Sequence, residues 1–184
     1  MSASIVDSLR GEYRRYKALA EAAIAQLADD QIAAAAPANS IAVIVWHVSG
    51  NLASRFTDFL TSDGEKPWRN RDEEFVARTV SRAELLEKWE KGWRALYGAL
   101  DQLTDADLGK TVTIRQQPML VHEALHRSLA HTASHVGQIV YIAKTLRAGD
   151  WRYLSIPPGQ SQAYNQAPAF EKPDAHSKKL GASS

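Results

Sequence analysis

Four stretches of the chain place apolar residues at steps of three and four, which is the spacing of an amphipathic helix. The first stretch runs from about Ile5 to Leu27. The second begins after Ser40, whose hydroxyl can cap a helix, and runs to about Thr61, before Asp63-Gly64. The pattern therefore predicts two helices, joined by a connection that contains Pro37.

The third predicted helix follows a long polar connection. Residues 64–80 are mostly polar and are interrupted by Pro67, so we expect a long loop with room for one short helical turn. Ser81 and Glu84 then form a capping-box pattern, and an apolar stripe continues to about Leu103. The third helix is therefore expected to begin directly after Ser81.

The fourth predicted helix is the longest. Before it, residues 111–117 (TVTIRQQ) alternate as in a strand, but no partner strand is evident, so we interpret them as an extended linker. Pro118 suits the first turn of a helix. This helix is expected to continue to about Arg147, with Gly149 as the residue that terminates it.

The chain after the fourth helix contains four prolines, so no further long helix is expected. Four apolar residues are expected to hold the first part of this tail against the helices: Trp151, Tyr153, Leu154 and Ile156. The sequence thus predicts an all-α fold, a four-helix bundle with a long loop between helices two and three and an irregular C-terminal tail. The bundle and its docked tail are assigned to residues 1–167, and a flexible tail to residues 168–184.

Composition and charge argue against several classes of function. Of the 184 residues, 45% are hydrophobic and 23% are charged, as in soluble globular proteins. The formal net charge is +1, with Lys and Arg scattered among acidic residues, so nothing indicates a nucleic-acid partner. The first residues show no basic segment followed by an apolar run, and the longest apolar stretch, residues 41–46, is too short to span a bilayer. We therefore expect a cytoplasmic protein with no membrane partner.

The absence of cysteine restricts any metal site to nitrogen and oxygen ligands. Four of the six histidines lie in the fourth predicted helix as two pairs, His122 with His126 and His131 with His135. At about 100° per residue, the members of a pair lie about 40° apart, whereas the two pairs face opposite sides of the helix. Either pair can converge on one ion, so spacing alone leaves both open.

A third ligand would have to come from another helix. His47 is the only histidine outside the fourth helix and the tail. Asn51 lies one turn beyond it, and Gln138 shares a helix face with the second histidine pair, so these amides are candidates for orienting ligands or water. Four charged residues of the long loop could reach the mouth of the site, although a solvated loop is the favoured interpretation: Arg69, Arg71, Asp72 and Glu73.

Three blocks of sequence resemble the DinB-like superfamily of metalloenzymes. They are VWHVSGNLASRFTDFLTSDGEKPWRNRDEEF from residue 45, LAHTASHVGQIVYIAK from residue 129 and WRYLSIPPGQSQAYN from residue 151. The resemblance extends to about Asn165 and implies a four-helix bundle, commonly dimeric. It also implies nickel or zinc, bound by one histidine of the second helix and an H-x-x-x-H pair of the last, which here are His47, His131 and His135.

This ligand set predicts an open metal site. Three neutral imidazoles leave the ion its full charge and at least one free position, as in catalytic zinc sites. Related members of the superfamily use a low-molecular-weight thiol for S-transfer, and a chain without cysteine would take its thiol from a cosubstrate. We therefore expect a metal-dependent thiol S-transferase or hydrolase that acts on a small molecule and forms a homodimer.

Two other interpretations stay open at this point. One is a non-catalytic, stress-related helical bundle, whose histidines are structural or bind metal adventitiously. The other is nucleic-acid binding, against which the balanced charge argues. His122 and His126 have no role under the resemblance and are expected to be structural or surface residues.

Overall fold

Seven helices make up most of the chain in a computed structural model, which describes residues 4–32 and 39–181. One antiparallel hairpin and three short 3-10 turns are the other regular elements of those residues. The predicted all-α fold is therefore confirmed. The helices are α1 (Ile5–Ile24), α2 (Asp29–Ile32), α3 (Ile41–Phe56), α4 (Arg82–Leu100), α5 (Val121–Arg147), α6 (Ser161–Gln166) and α7 (Pro173–Gly181).

Side-chain caps start α3 and α4 at the predicted residues. The hydroxyl of Ser40 accepts a hydrogen bond from the backbone amide of Val43 at 3.2 Å. Ser81 and Glu84 form both hydrogen bonds of the capping box before α4. Each cap pairs a backbone N–H that the first turn leaves without a helical partner, so a short sequence pattern is enough to locate these helix starts.

The ends of the first two long helices are less well predicted. α1 ends at Ile24, three residues before the expected end at Leu27. α3 ends at Phe56, earlier than the expected Thr61, because the following backbone is extended and Asp58 takes a positive φ of 50°. The connection predicted around residue 37 lies outside the described residues.

The segment before α5 is a β-hairpin, so the extended linker predicted there is wrong. Strand β1 (Thr111–Ile114) pairs antiparallel with β2 (Gln117–Leu120). Arg115 and Gln116 form the two-residue turn with φ values of 54° and 63°, the left-handed pair that a type I′ turn requires. Pro118, expected in the first turn of the last long helix, lies in β2 instead.

The carboxylate of Asp63 holds this turn although the turn has no glycine. It accepts hydrogen bonds from the backbone amides of Arg115 at 2.8 Å and Gln116 at 2.7 Å. It also accepts one from the amide of Glu65 at 2.7 Å. These hydrogen bonds lower the pKa of Asp63 to about 2, because they favour the ionised carboxylate. Asp63 thereby helps to join the long loop to the hairpin.

The last long helix, α5, has 27 residues and ends at Arg147 as predicted. The residue that terminates it is Ala148, with a φ of 45°, rather than the expected Gly149. Within the described part of the chain, no helix, α5 included, combines the length and the apolar character needed to cross a membrane.

Four long helices pack as a bundle in which α3 contacts α4 and α5, and α1 contacts α5 and α4. Trp89 and Trp93 of α4 are fully buried in its core. Gly92 allows α3 and α4 to approach closely, because a Cβ at this position would lie 2.6 Å from the Cα of Ser49. The side of the bundle where α3 meets α5 carries His47 and the second histidine pair.

The end of the chain differs from the irregular tail that the sequence predicted. α7 packs against α1 and buries His176 and Leu180. The Nε2 atom of His176 lies 2.8 Å from the carbonyl oxygen of Leu154, which is itself buried as expected, whereas Tyr153 is 43% exposed. The expectation of an irregular tail is therefore wrong for these nine residues, and the domain boundary at residue 167 stays a prediction.

Candidate metal centre

Three histidines from two helices meet at one point of the bundle. His47 of α3 and His131 of α5 place their Nε2 atoms 3.1 Å apart. His135, one turn beyond His131, completes a group whose ligand nitrogens all lie within 4.8 Å of one another. His47 is 6% exposed, and the other two are half-buried. The structure thus brings together the three histidines that the family resemblance selected.

The other histidine pair of α5 lies outside this group. The rings of His122 and His126 contact each other edge to face, with centroids 6.3 Å apart. His122 Nδ1 lies 3.1 Å from the carbonyl oxygen of Leu108. His126 is exposed. The fold therefore separates the two pairs that helical spacing left equivalent.

A buried carboxylate orients the first histidine. Glu74 belongs to the 3-10 turn Asp72–Phe75 of the long loop, and its Oε2 lies 2.9 Å from Nδ1 of His47. A carboxylate accepts hydrogen bonds, so Nδ1 of His47 carries the proton and Nε2 presents its lone pair to the cluster. Carboxylates hold metal-bound histidines in this way in many metalloproteins.

The carboxylate of Glu74 is fixed in turn by Arg69. Its two oxygens accept hydrogen bonds from Nε and Nη2 of Arg69 at 2.8 and 2.9 Å, and both side chains are almost fully buried. Burial opposes ionisation of this carboxyl, but the hydrogen bonds from Arg69 and His47 outweigh it and keep the pKa of Glu74 below its usual value. Glu74 is therefore a charged acceptor for His47 at neutral pH.

Gly50 makes room for this arrangement. It lies on α3 one turn from His47, and a Cβ at this position would lie 2.1 Å from Oε1 of Glu74. Real Cβ contacts are never this short, so any side chain at position 50 would displace the carboxylate. A glycine in the middle of a helix costs about 1 kcal/mol relative to alanine, and the close approach of Glu74 explains why it is here.

Gln138 orients His135 as Glu74 orients His47. Its Oε1 lies 2.8 Å from Nδ1 of His135, so that nitrogen donates and Nε2 presents its lone pair. Asn51, the other amide predicted near the site, lines the cavity beside His47. Phe75 packs against the His47 ring, with centroids 4.7 Å apart.

The histidines of α5 are held in the neutral form. Burial, together with the neighbouring His135 and His47, lowers the pKa of His131 to about 4. Burial also lowers the pKa of His135, against the opposing hydrogen bond from Gln138. Neutral imidazoles are the form that binds a metal ion, so both rings are ready to act as ligands at physiological pH.

The donor set fits a divalent ion of the zinc type. Bonds of about 2.0 to 2.1 Å place two nitrogens about 2.9 Å apart at a right angle and about 3.4 Å apart at the tetrahedral angle. The 3.1 Å between His47 and His131 falls in this interval. The widest possible separation in the group, 4.8 Å, exceeds the tetrahedral value by about 1.4 Å, which small ring rotations can close.

A cavity of about 220 Å³ opens beside His47 and His131. Its wall is built from α3, the long loop, the hairpin and α5. Five arginines line it, and no Asp or Glu of the described residues does. The cavity gives a small molecule access to two of the three histidines and surrounds it with positive charge.

Sequence reasoning missed Glu74, whereas Arg69 and Arg71 do line the cavity at the site, as one of the two interpretations of the loop expected. The favoured prediction of a solvated loop is wrong for Arg69 and Glu74, whose side chains are almost fully buried. Asp72 and Glu73, the acidic neighbours of Glu74, are exposed as expected. The one signal that pointed inward was Gly50, since a mid-helix glycine one turn from a candidate ligand indicates the close approach of another group.

The chain belongs to the family described as protein of unknown function (DUF1572), whose model matches residues 1–160. Neither a curated protein nor a solved structure matches the chain. The family match spans the four long helices, and so it includes the three histidines and Glu74. The wider resemblance to the DinB-like superfamily stays a prediction.

Proposed function

We propose that this member of the DUF1572 family is a metal-dependent enzyme that binds one divalent ion through Nε2 of His47, His131 and His135. The observation that carries the proposal is the orientation of His47: a buried, charged carboxylate holds its outer nitrogen and directs its inner nitrogen at the other two rings. A histidine that served only the core would not require a carboxylate fixed by a buried arginine.

Nickel or zinc is the proposed ion. Imidazole ligands suit both ions, and the chain has no thiolate that would favour a softer metal. The resemblance to the DinB-like superfamily supports the same two metals. It also supports a homodimer, which we include in the proposal together with the cytoplasmic location expected from the sequence.

The open ligand set favours catalysis over a structural role. A divalent ion held by three neutral imidazoles supplies Lewis acidity at its free positions, where it lowers the pKa of water or of a thiol. Glu74 retains the Nδ1 proton of His47, and Gln138 holds the ring of His135 in place. Phe75 covers one face of the His47 ring and limits the access of water from that side.

The proposed reaction is S-transfer from a low-molecular-weight thiol, or hydrolysis of a small substrate. The chain has no cysteine, so the thiol would come from a cosubstrate that enters the cavity beside His131. The cavity volume of about 220 Å³ corresponds to about seven water molecules, which suits part of a small molecule rather than a polymer.

The experiment is metal analysis joined to an activity screen. Purified protein is reconstituted with nickel or zinc, and the bound metal is counted before thiol-transfer and hydrolysis assays. His135→Ala is the test variant, and His126→Ala, on the exposed side of the same helix, is the matched control. We expect one ion per chain and an activity that His135→Ala abolishes and His126→Ala retains. Absence of stoichiometric metal after reconstitution, or an activity that survives His135→Ala, would overturn the proposal and favour a non-catalytic bundle.

A further inference from the structure

We infer that the cavity beside the three histidines binds the oxyanion end of a small substrate, a carboxylate or a phosphate group. The inference deepens the proposed function and rests on it, since it assigns the class of molecule that reaches the metal site. Its basis is the concentration of guanidinium groups around one cavity of about 220 Å³. Four separate elements contribute the arginines, which are Arg55, Arg69, Arg71, Arg115 and Arg127.

Positive charge exceeds negative charge around this cavity. Glu65 is shared by two of the arginines, at 3.2 Å from Nη1 of Arg55 and 2.9 Å from Nε of Arg115. Glu74 pairs with Arg69. Two carboxylates therefore offset three guanidinium groups, before the remaining two arginines are considered.

The remaining two arginines have weak partners or none. The guanidinium group of Arg71 lies over the Phe75 ring, 4.8 Å from its centroid, which leaves its charge without a counter-ion. The one carboxylate that Arg71 approaches among the described residues is Asp72, at 4.0 Å, and it is 98% exposed, so the pair contributes little in water. Arg127 has no carboxylate within ion-pair distance among the described residues. Even Arg69, which is nearly buried, keeps its Nη1 without a hydrogen-bond partner in the described structure. The five arginines around the cavity therefore retain N–H donors that can bind a further anion.

The arginines repel one another in the absence of such an anion. Burial is the main cause that lowers the pKa of Arg55, and the neighbouring Arg69 and Arg115 add to it against the attraction of Glu65. Holding like charges close to one another costs free energy, and a bound anion would offset this cost. The cluster thus has an electrostatic reason to take up negative charge.

The two ligand-bearing helices direct their arginines to the same cavity. Arg127 lies four residues before His131 on α5, and Arg55 lies eight residues after His47 on α3, so each shares a helix face with a proposed ligand. One turn of helix is about 5.4 Å, which is the length of a small organic acid. An oxyanion held at Arg127 would therefore leave the other end of its molecule beside His131.

The chemistry of the cluster selects carboxylate or phosphate. A guanidinium group offers two parallel N–H donors that match two oxygens of either group, and such bonds are stronger than neutral ones. The cavity holds about seven water volumes, which suits the anionic end of a small molecule. The ligand is therefore a small acid or phosphate ester.

The test is direct titration with inorganic phosphate and with malonate, in chloride buffer, on metal-loaded and metal-free protein. Binding is followed by calorimetry and by amide chemical shifts of the hairpin turn. We expect saturable binding of at least one probe that weakens as salt is raised. Arg127→Gln should weaken it about tenfold or more, whereas Arg94→Gln, an exposed arginine of α4 with the same charge change, should leave it unchanged.

The outcomes distinguish the anion-binding inference from the proposed metal-dependent function. Preference for phosphate assigns a phosphate ester, and preference for malonate assigns a carboxylic acid. Anion binding by protein that takes up no metal would retain this inference and overturn the proposed function. Metal uptake without saturable binding of either probe, or equal binding by Arg127→Gln and Arg94→Gln, would overturn this inference alone.

Discussion

The carboxylate of Glu74 lies 2.9 Å from Nδ1 of His47, although 27 residues of sequence separate them. The contact joins the long loop to α3 at the candidate metal centre. It sets the tautomer of His47, and Arg69 fixes the carboxylate from its other side. The side chains of His47, Glu74 and Arg69 are all buried. The orientation of the His47 ring therefore depends on Glu74, a residue that touches no other histidine of the group.

Glu74→Gln is expected to lower metal affinity about 10- to 100-fold, because the neutral amide is a weaker acceptor for the Nδ1 proton of His47. The affinity is measured by competition with a chromophoric chelator. Glu73→Gln, the exposed neighbour in the same turn, is the matched control and should bind metal as the wild type does. Breaking the buried pair with Arg69 should also cost about 3 to 5 kcal/mol of stability, so unfolding curves accompany each titration. Equal affinity in the two variants would remove the orienting role of Glu74.

Gly50→Ala is expected to weaken metal binding without changing any residue that touches the metal. Its Cβ would lie 2.1 Å from Oε1 of Glu74, so the carboxylate must move away from His47. The overpacking should also lower the free energy of unfolding by about 1 to 3 kcal/mol. Gly98→Ala on α4 is the control, since a Cβ there meets nothing within 4 Å and should add up to about 1 kcal/mol of stability. If Gly50→Ala bound metal with wild-type affinity, the close contact would have no bearing on the site.

Asp63→Asn is expected to remove a pH-dependent part of the stability. The pKa of Asp63 is depressed from 3.8 to about 2 in the folded protein, so the stability it contributes is complete above pH 3.8 and is lost as pH falls through 2. The difference in free energy of unfolding between wild type and Asp63→Asn should therefore be constant near neutrality and shrink between about pH 4 and pH 2. Asp72→Asn, an exposed acid of the same loop, should give no such change. A difference independent of pH would contradict the assigned role of Asp63.

Leu180→Ala is expected to destabilise the protein by about 2 to 5 kcal/mol, because Leu180 is 2% exposed where α7 packs on α1. Chemical denaturation measures the effect. Lys178→Ala, an exposed residue of the same helix, should change stability by less than about 0.5 kcal/mol. Equal stability of the two variants would show that the end of the chain does not pack as the structure places it.

Local patterns predicted the helices well. Ser40 and the Ser81–Glu84 capping box act within one turn, so the sequence alone contains both partners of each hydrogen bond. The apolar stripes predicted the long helices for the same reason, because the residues of one helix face are only three or four positions apart in the sequence. The end of α5 at Arg147 is predicted correctly, but its terminating residue is Ala148 rather than Gly149, which as a glycine is the more common terminator.

Tertiary contacts account for what the sequence did not predict. The hairpin turn at Arg115 and Gln116 lacks the usual glycine or asparagine, and the carboxylate of Asp63, about fifty residues earlier, stabilises it. The role of Glu74 was likewise not evident, because three acids stand in sequence and only the fold determines which one is buried. The family resemblance distinguished the two histidine pairs of α5. The structure gives the physical reason, because α3 places His47 beside His131 and His135.

The most direct measurement of the central claim is X-ray absorption at the zinc edge of protein reconstituted with one equivalent of zinc. The expected result is three imidazole nitrogens at about 2.0 to 2.1 Å, with outer-shell scattering from three rings. In His131→Ala, one ring should be lost from this pattern, whereas His122→Ala should retain all three. A first shell of oxygen atoms alone, or a spectrum unchanged by His131→Ala, would contradict a metal centre built on His47, His131 and His135.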